Sequence, residues 1–408
     1  MARLEAPRGT HDVLPSDQPL WQKVTGEMER LCALYGYRRI QTPAIEDTEL
    51  FARTAGAGSD IVQKEMYTFE DRGGRSLTLR PEGTAPICRA YVEHGMHREP
   101  QPVKMYTIAP MYRYAAPQRG RYREHTQLSL ECIGSADPAI DAEVIQYYDT
   151  LLRSLGVKTF ELQLNSIGDR ACRPAYVEKL NAWLDEHEDI LDEDAKQKRA
   201  TSPLRVFDVK NESVRAALED APKIGESLCD ECREHFARVC NYLDEYPVPY
   251  TLVPALVRGL DYYTRTTFEF IGPDDSAQAS TICGGGRYDY LVEEIGGPPT
   301  PGIGFGAGIE RLVLSLELEG IGAERPLLDV FVAAELGQSG FGFVAQLRAA
   351  GTSADMDHAR RSLKGQIDYG AKHARTTLVL KADGHFLRRR GLEDVPIDGI
   401  EHLQELLA

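Results

Sequence analysis

Between residues 19 and 36, apolar side chains recur at Leu20, Val24, Met28, Leu31 and Leu34, and Gly36 follows the last turn. That spacing gathers them on one face and predicts an amphipathic helix. Arg39-Ile40-Gln41-Thr42-Pro43 then reads as a strand that stops at its proline. Residues 66–80 predict a hairpin, because Met66-Tyr67-Thr68-Phe69 and Ser76-Leu77-Thr78-Leu79 alternate around Asp71-Arg72-Gly73-Gly74. Residues 102–108 and 127–133 are further strands. With so little helix between them, an antiparallel sheet is expected rather than a doubly wound parallel one.

Residues 170–245 change character. Val177, Leu180 and Leu184 have helical spacing, and so do Phe236, Val239 and Leu243. The acidic run Asp185 to Asp194 reads as a solvated helix face. Strand signals return at 250–271 and 280–283, and a glycine-rich stretch leads into a helix from Ile309 to Glu319. Gly320-Ile321-Gly322 and Pro326 mark a linker. Beyond it, Leu328-Asp329-Val330-Phe331-Val332, a helix near 338–350 and Thr376-Thr377-Leu378-Val379-Leu380 alternate as in a small α/β domain.

A chain of 408 residues has room for two or three domains. No apolar run reaches the roughly 18 residues of a membrane helix, and Met1 to Thr10 carries neither an apolar stretch nor a cleavage signal. Eight cysteines scattered from Cys32 to Cys283 read as reduced thiols of a cytosolic protein. The net charge of −16 argues against indiscriminate nucleic-acid binding. It is unevenly spread: residues 1–324 hold 36 basic and 52 acidic side chains, the whole excess, while 325–408 hold eleven of each. Within 345–390, ten basic residues face four acidic ones, a local +6 able to meet phosphates.

Five blocks carry candidate chemistry. In Thr78-Leu79-Arg80-Pro81-Glu82-Gly83-Thr84, a carboxylate and a hydroxyl two residues apart share one side of an extended strand, a pair suited to an ammonium group. From Met111 to Glu131, Arg113, Arg119, Arg121 and Arg123 crowd an anion-binding loop, and Gln127, Ser129 and Glu131 alternate onto one strand face. Arg258-Gly259-Leu260-Asp261-Tyr262-Tyr263 places charges too densely for an unpartnered core strand. Cys283-Gly284-Gly285-Gly286-Arg287-Tyr288-Asp289 lets backbone approach a ligand. Gly302 to Arg311 ends with an arginine at a helix start. Cys229-x-x-Cys232, with His235 and Cys240 after it, has the look of a zinc site, but Cys229, Cys232, Phe236 and Val239 also fit one apolar helix face. No metal ligands are assigned. There is no Walker A or dinucleotide-binding fingerprint.

These blocks in this order, with Arg8-Gly9-Thr10-His11-Asp12 before them, resemble histidyl-tRNA synthetase, a class II aminoacyl-tRNA synthetase, over essentially the whole chain. The resemblance implies an α+β fold: a class II antiparallel-sheet catalytic core in two parts (1–169 and 246–323), a helical insertion (170–245) and a C-terminal α/β anticodon-binding domain (326–408). It implies activation of histidine by ATP to histidyl-adenylate, then transfer to tRNA(His). Glu82, Thr84 and Gln127 would hold the α-amino group, and Glu131 and Tyr263 the imidazole, with Tyr288 nearby. Arg113 would contact the α-phosphate, and Arg121 and Arg311 the ATP phosphates. His125 stands where an aromatic stacks on adenine. Arg258 would stabilise the charge that develops on attack, and Mg²⁺ would bridge phosphate oxygens. Thr42-Pro43 fits the motif at the family's homodimer interface. No membrane is involved, and the cytoplasm is the expected location.

Ala115-Ala116 replace an acidic and a basic residue frequent in the family, which touches an adenine contact and a tRNA contact, and the tail after Lys381 is short. An alternative is the non-catalytic paralogue that serves as a histidine-sensing regulatory subunit of ATP phosphoribosyltransferase. It usually lacks the C-terminal domain and an intact 258–263 block, and both are present here. A protein that only bound tRNA would have no need of Arg113, Arg258 and Arg311.

Overall fold

The computed structural model describes residues 3–56, 59, 61–273 and 281–407, in two compact units, 1–323 and 324–408. The first unit opens with helix α1 (Gln18–Leu34), whose Val24, Met28 and Leu31 are buried. A short strand β1 (Arg38–Arg39) follows, then β2 (Ile45–Asp47), helix α2 (Thr48–Thr54), and the hairpin β3 (Tyr67–Glu70) and β4 (Ser76–Leu79). The strand expected to run to Pro43 ends at Arg39. The buried Arg80 guanidinium draws the carbonyl oxygens of Thr42 (2.8 Å) and Pro43 (3.3 Å) out of the ladder.

Helix α3 (Thr84–Glu93) leads to the long strands β5 (Val103–Tyr112) and β6 (Glu124–Ile133), helix α4 (Pro138–Leu155) and β7 (Glu161–Ser166). The 170–245 stretch is helical: α5 (Arg173–Glu186), α6 (Glu193–Thr201), α7 (Glu212–Ala217) and α8 (Asp230–Glu245). After it come β8 (Thr251–Leu252), β9 (Thr264–Ile271), β10 (Thr281–Arg287), helix α9 (Leu291–Glu294), β11 (Gly302–Gly308) and α10 (Ile309–Leu318). The strand expected over 250–271 is broken at 253–263. Pro254 cannot donate to a ladder, and the Asn165 amide holds the carbonyls of Pro254 (3.1 Å) and Leu256 (2.9 Å). Residue 280, first of the expected 280–283 strand, lies outside the described residues. That strand runs on through Gly284-Gly285-Gly286, which are sheet and not loop.

Eight strands form the main sheet in the order β1-β5-β6-β11-β10-β9-β7-β8, antiparallel except for the parallel end pairs β1/β5 and β7/β8. β6 is buried from Gln127 to Ile133 because both of its faces are covered. Leu128, Leu130 and Cys132 turn to one side, where Ile303 and Phe305 of β11, Phe268 and Phe270 of β9, and Val144, Tyr148 and Leu152 of α4 form the core with α1. Each such large apolar side chain contributes on the order of 2 kcal/mol by leaving water. Gln127, Ser129 and Glu131 turn to the other side, as strand alternation requires.

The second unit carries β12 (Leu328–Ala334), α11 (Phe341–Ala349), β13 (Ala354–Met356), α12 (Leu363–His373), β14 (Ala374–Lys381), β15 (Gly384–Arg389), β16 (Val395–Ile397) and α13 (Ile400–Leu407). Its sheet order is β13-β12-β14-β15-β16, with β12 parallel to both neighbours and the last two pairings antiparallel. Part of the +6 excess is neutralised from outside the 345–390 window, by Asp329 near Arg375 (3.9 Å) and by Asp394 on Arg388 (2.5 Å). Arg360, Lys364, Lys372 and Arg390 remain exposed.

Candidate functional site

Glycine at every second position of β11 opens the polar face of the sheet. A Cβ on Gly304 would collide with the Glu131 carboxylate, and one on Gly306 would lie 2.6 Å from the Gln127 amide nitrogen. β10 repeats the device, since a Cβ on Gly284 would lie 2.6 Å from Cζ of Arg258 and one on Gly286 2.8 Å from the Tyr263 ring. The glycines therefore make room for the protein's own site residues. Against this floor lies a cleft of about 370 Å³.

Glu82 and Thr84 reach it by a different local structure from the extended strand their spacing suggests. Thr84 is the first residue of α3, and the Glu82 carboxylate accepts from the backbone N–H of Thr84 (2.6 Å) and of Ala85 (2.8 Å). An acidic group on a helix N-terminus satisfies orphan donors and meets the positive end of the dipole. The Thr84 hydroxyl donates to Glu131 Oε1 and the Tyr288 hydroxyl to Glu131 Oε2, both at 2.6 Å. Gln127 Nε2 donates to Ser129 Oγ at 2.9 Å. Burial pushes the Glu131 carboxyl up to about 8, although both hydroxyls favour its charge. Burial also raises Glu82, against the helix N–H groups and Arg113. Both carboxyls thus lack a cationic partner close enough to offset desolvation.

The same cleft is also lined by arginines. Arg113 Nε donates to the Pro81 carbonyl (2.7 Å). Arg121 pairs with Glu65 at 2.9 Å. Arg311 Nε donates to the Gly120 carbonyl (3.1 Å), and its Nη1 donates to that of Thr281. Burial lowers the pKa of Arg311, and repulsion from Arg121 and Arg113 adds to it. Desolvation likewise lowers Arg113. Cations packed against one another in this way are poised for a polyanion. Burial disfavours the charge on Arg258, but Glu269 more than compensates, and Thr281 Oγ1 (3.0 Å) holds the other Glu269 oxygen. Burial, with Arg113 behind it, pushes His125 down to about 3, so its ring is neutral and suited to stacking, not to holding phosphate.

Nine of the eleven expected residues line this cleft: Glu82, Thr84, Arg113, Arg121, His125, Gln127, Arg258, Tyr263 and Arg311. Glu131 and Tyr288 stand one layer behind, fully buried, reached through Thr84. Two carboxylates went unassigned from sequence. Glu269 fixes Arg258, and its place in the alternation of β9 was the available signal. Glu310 accepts from Thr126 N (2.7 Å) with one oxygen and is pushed up to about 7 by burial. Its Oε2 and Arg258 Nε are buried without a partner among the described residues, and both residues line the cleft. Orphaned buried polar atoms at a cleft point to a ligand.

The metal-like grouping Cys229, Cys232, His235 and Cys240 does not assemble. His235 Nε2 meets Asp141 Oδ2 (2.8 Å) inside a buried network in which Arg287 also grips Asp141, and Cys240 lies beside Tyr250.

The family description "Histidyl-tRNA synthetase" matches residues 9–312. The chain is 49% identical to a histidine–tRNA ligase of Caldanaerobacter subterraneus subsp. tengcongensis over 372 residues, 90% of this chain and 89% of the relative. It is 47% identical to that of Natranaerobius thermophilus, with 92% and 90% covered. Among solved structures, apo histidyl-tRNA synthetase of S. aureus superposes with a TM-score of 0.82 at 36% identity, covering 99% of each chain. A Bacillus halodurans protein described as an ATP phosphoribosyltransferase regulatory subunit/histidyl-tRNA synthetase superposes with a TM-score of 0.63 at 22% identity, which speaks to fold alone.

Proposed function

Since this chain belongs to the histidyl-tRNA synthetase family, we propose that its glycine-floored cleft is where histidine and ATP meet. The chain is a ligase that joins histidine to tRNA with consumption of ATP. The observation that carries the site assignment is one cleft lined by Glu82, Thr84 and Gln127 together with Arg113, Arg121, Arg258 and Arg311, a set that suits a zwitterionic amino acid beside a triphosphate.

Glu82, Thr84 and Gln127 take the α-amino group of histidine, whose charge supplies the partner Glu82 lacks. Glu131 and Tyr263 take the imidazole, and Tyr288 fixes the Glu131 carboxylate. Thr84 and Tyr288 alone do not offset the desolvation of Glu131, so a ring N–H is the added donor that lets this carboxyl charge, and a side chain without one forfeits that bond. Arg113 meets the α-phosphate, and Arg121 and Arg311 the phosphates beyond it. The histidine carboxylate attacks the α-phosphorus and pyrophosphate leaves. Arg258, held by Glu269 at the cleft, stabilises the charge that develops. His125 packs on the adenine. The orphaned Glu310 Oε2 fits a Mg²⁺ ligand, and the ion would neutralise phosphate charge there. A second copy of the chain covers the region of Thr42-Pro43, where Ile45 and Phe69 are 46% and 41% exposed. No described helix is long and apolar enough to cross a membrane, and the reaction places the protein in the cytoplasm.

The 324–408 unit, with Arg360, Lys364, Lys372 and Arg390 exposed, contacts the tRNA. Deleting it is expected to cut tRNA charging at least 10-fold more than histidine-dependent ATP–pyrophosphate exchange. Equal loss of both would mean that the unit acts only by supporting the core.

A further inference from the structure

One group of side chains outside the cleft has the makings of a metal centre. Asp169 and Cys172 lie in the turn between β7 and α5, and Cys229 and Cys232 at the start of α8. One ligand atom from each lies within 4.8 Å of all the others. The sequence thus supplies two matching hooks, D-x-x-C and C-x-x-C, 57 positions apart from Cys172 to Cys229.

The separations suit one tetrahedral ion. Zinc bonds of about 2.3 Å to sulfur and about 2.0 Å to oxygen place neighbouring sulfurs about 3.8 Å apart, and sulfur about 3.5 Å from oxygen. Cys172 Sγ lies 3.9 Å from Cys232 Sγ and 3.5 Å from Asp169 Oδ1. A disulfide would need about 2.05 Å, and all eight cysteines are free thiols. Asp169 is a buried carboxylate set directly against the thiols.

The surrounding groups orient the ligands as a metal site requires. Asp169 N–H donates to Cys172 Sγ (3.4 Å), Ala171 N–H to Asp169 Oδ1 (2.9 Å), and Arg265 Nη2 to Asp169 Oδ2 (3.3 Å). Arg265 offsets part of the charge of three thiolates and a carboxylate. Cys229 is half-buried and gives the ion an entry path.

We propose that Asp169, Cys172, Cys229 and Cys232 bind one Zn²⁺ in a closed structural site that staples the N-terminus of α8 to the end of β7. The three thiols release their protons to solvent on binding. The staple stands beside the histidine pocket, because Arg173, next to Cys172, donates to the Tyr263 carbonyl at 2.7 Å.

The test is the metal content of the full chain purified without chelator. About one zinc per chain is expected, released by a mercurial thiol reagent and read with a colorimetric zinc indicator. Cys172→Ser with Cys232→Ser is expected to lower the content at least 10-fold. Should that variant fail to fold, the wild-type chain reconstituted with Co²⁺ is expected to show thiolate-to-cobalt charge-transfer absorption. Wild-type protein with less than a tenth of an equivalent of zinc, and no such band with Co²⁺, would overturn the proposal. So would a double variant that is folded and retains its zinc.

Discussion

Arg258→Ala is expected to lower histidine-dependent ATP–pyrophosphate exchange by roughly 10²–10³-fold or more while histidine still binds, since one preorganised donor aimed at developing charge is worth about that much. Three features hold this guanidinium: its pair with Glu269, the bond from Thr281 to the other Glu269 oxygen, and the space left by Gly284. None of these uses Arg258 Nε, which is buried and without a partner among the described residues. The site is thus built to point a fixed cation without saturating it. Arg258→Lys keeps the charge but loses the fork, so its activity is expected to fall between wild type and alanine. Single-turnover adenylate formation alongside histidine titration checks both. Near wild-type exchange in Arg258→Ala would remove the residue from the chemistry.

Glu131→Gln is expected to weaken histidine roughly 10- to 100-fold with ATP little changed, the loss of one hydrogen bond to a charged group. The same change stabilises the ligand-free protein. Burial holds the Glu131 carboxyl at about 8 in the fold against an ordinary value of 4.5. Between those values the folded chain keeps a proton that the unfolded chain gives up. Stability from this group is therefore full below about pH 4.5 and is lost as pH rises through 8, a few kcal/mol in all. Glutamine has no charge to desolvate, so the melting temperature of the variant is expected to exceed that of wild type at pH 8.5 by more than at pH 5. Equal weakening of histidine and ATP would contradict the imidazole assignment, and a pH-independent difference in melting temperature would contradict the buried charge.

Much of this was legible in the chain because periodicity and chemistry coincided. Alternation from Gln127 to Glu131 marked a strand with one polar face, and the structure covers both faces of that strand. Leu20, Val24, Met28, Leu31 and Leu34 marked α1 to within a residue or two of each end. What failed did so where side chains overrule local preference. Arg80 takes carbonyls that the 39–43 strand would have used, and Asn165 does the same to the 253–263 segment. Glu82 and Thr84 looked like neighbours on a strand, yet Glu82 caps the helix that Thr84 begins. The three glycines at 284–286 looked like a ligand loop, but they are strand residues whose missing side chains leave space for Arg258 and Tyr263. The Cys229 hook was visible, but its partners were not. Asp169 and Cys172 lie some sixty positions upstream, and only the packing of α8 on the end of β7 brings them together.

The most direct test of the central claim is ATP–pyrophosphate exchange by the purified chain, run with histidine and then with each other amino acid. The expected result is exchange with histidine and with no other, because a ring N–H is the donor that lets the buried Glu131 carboxyl charge, while the arginines serve any aminoacyl phosphate. Histidine binding without exchange would contradict it and leave a chain that senses histidine but does not activate it.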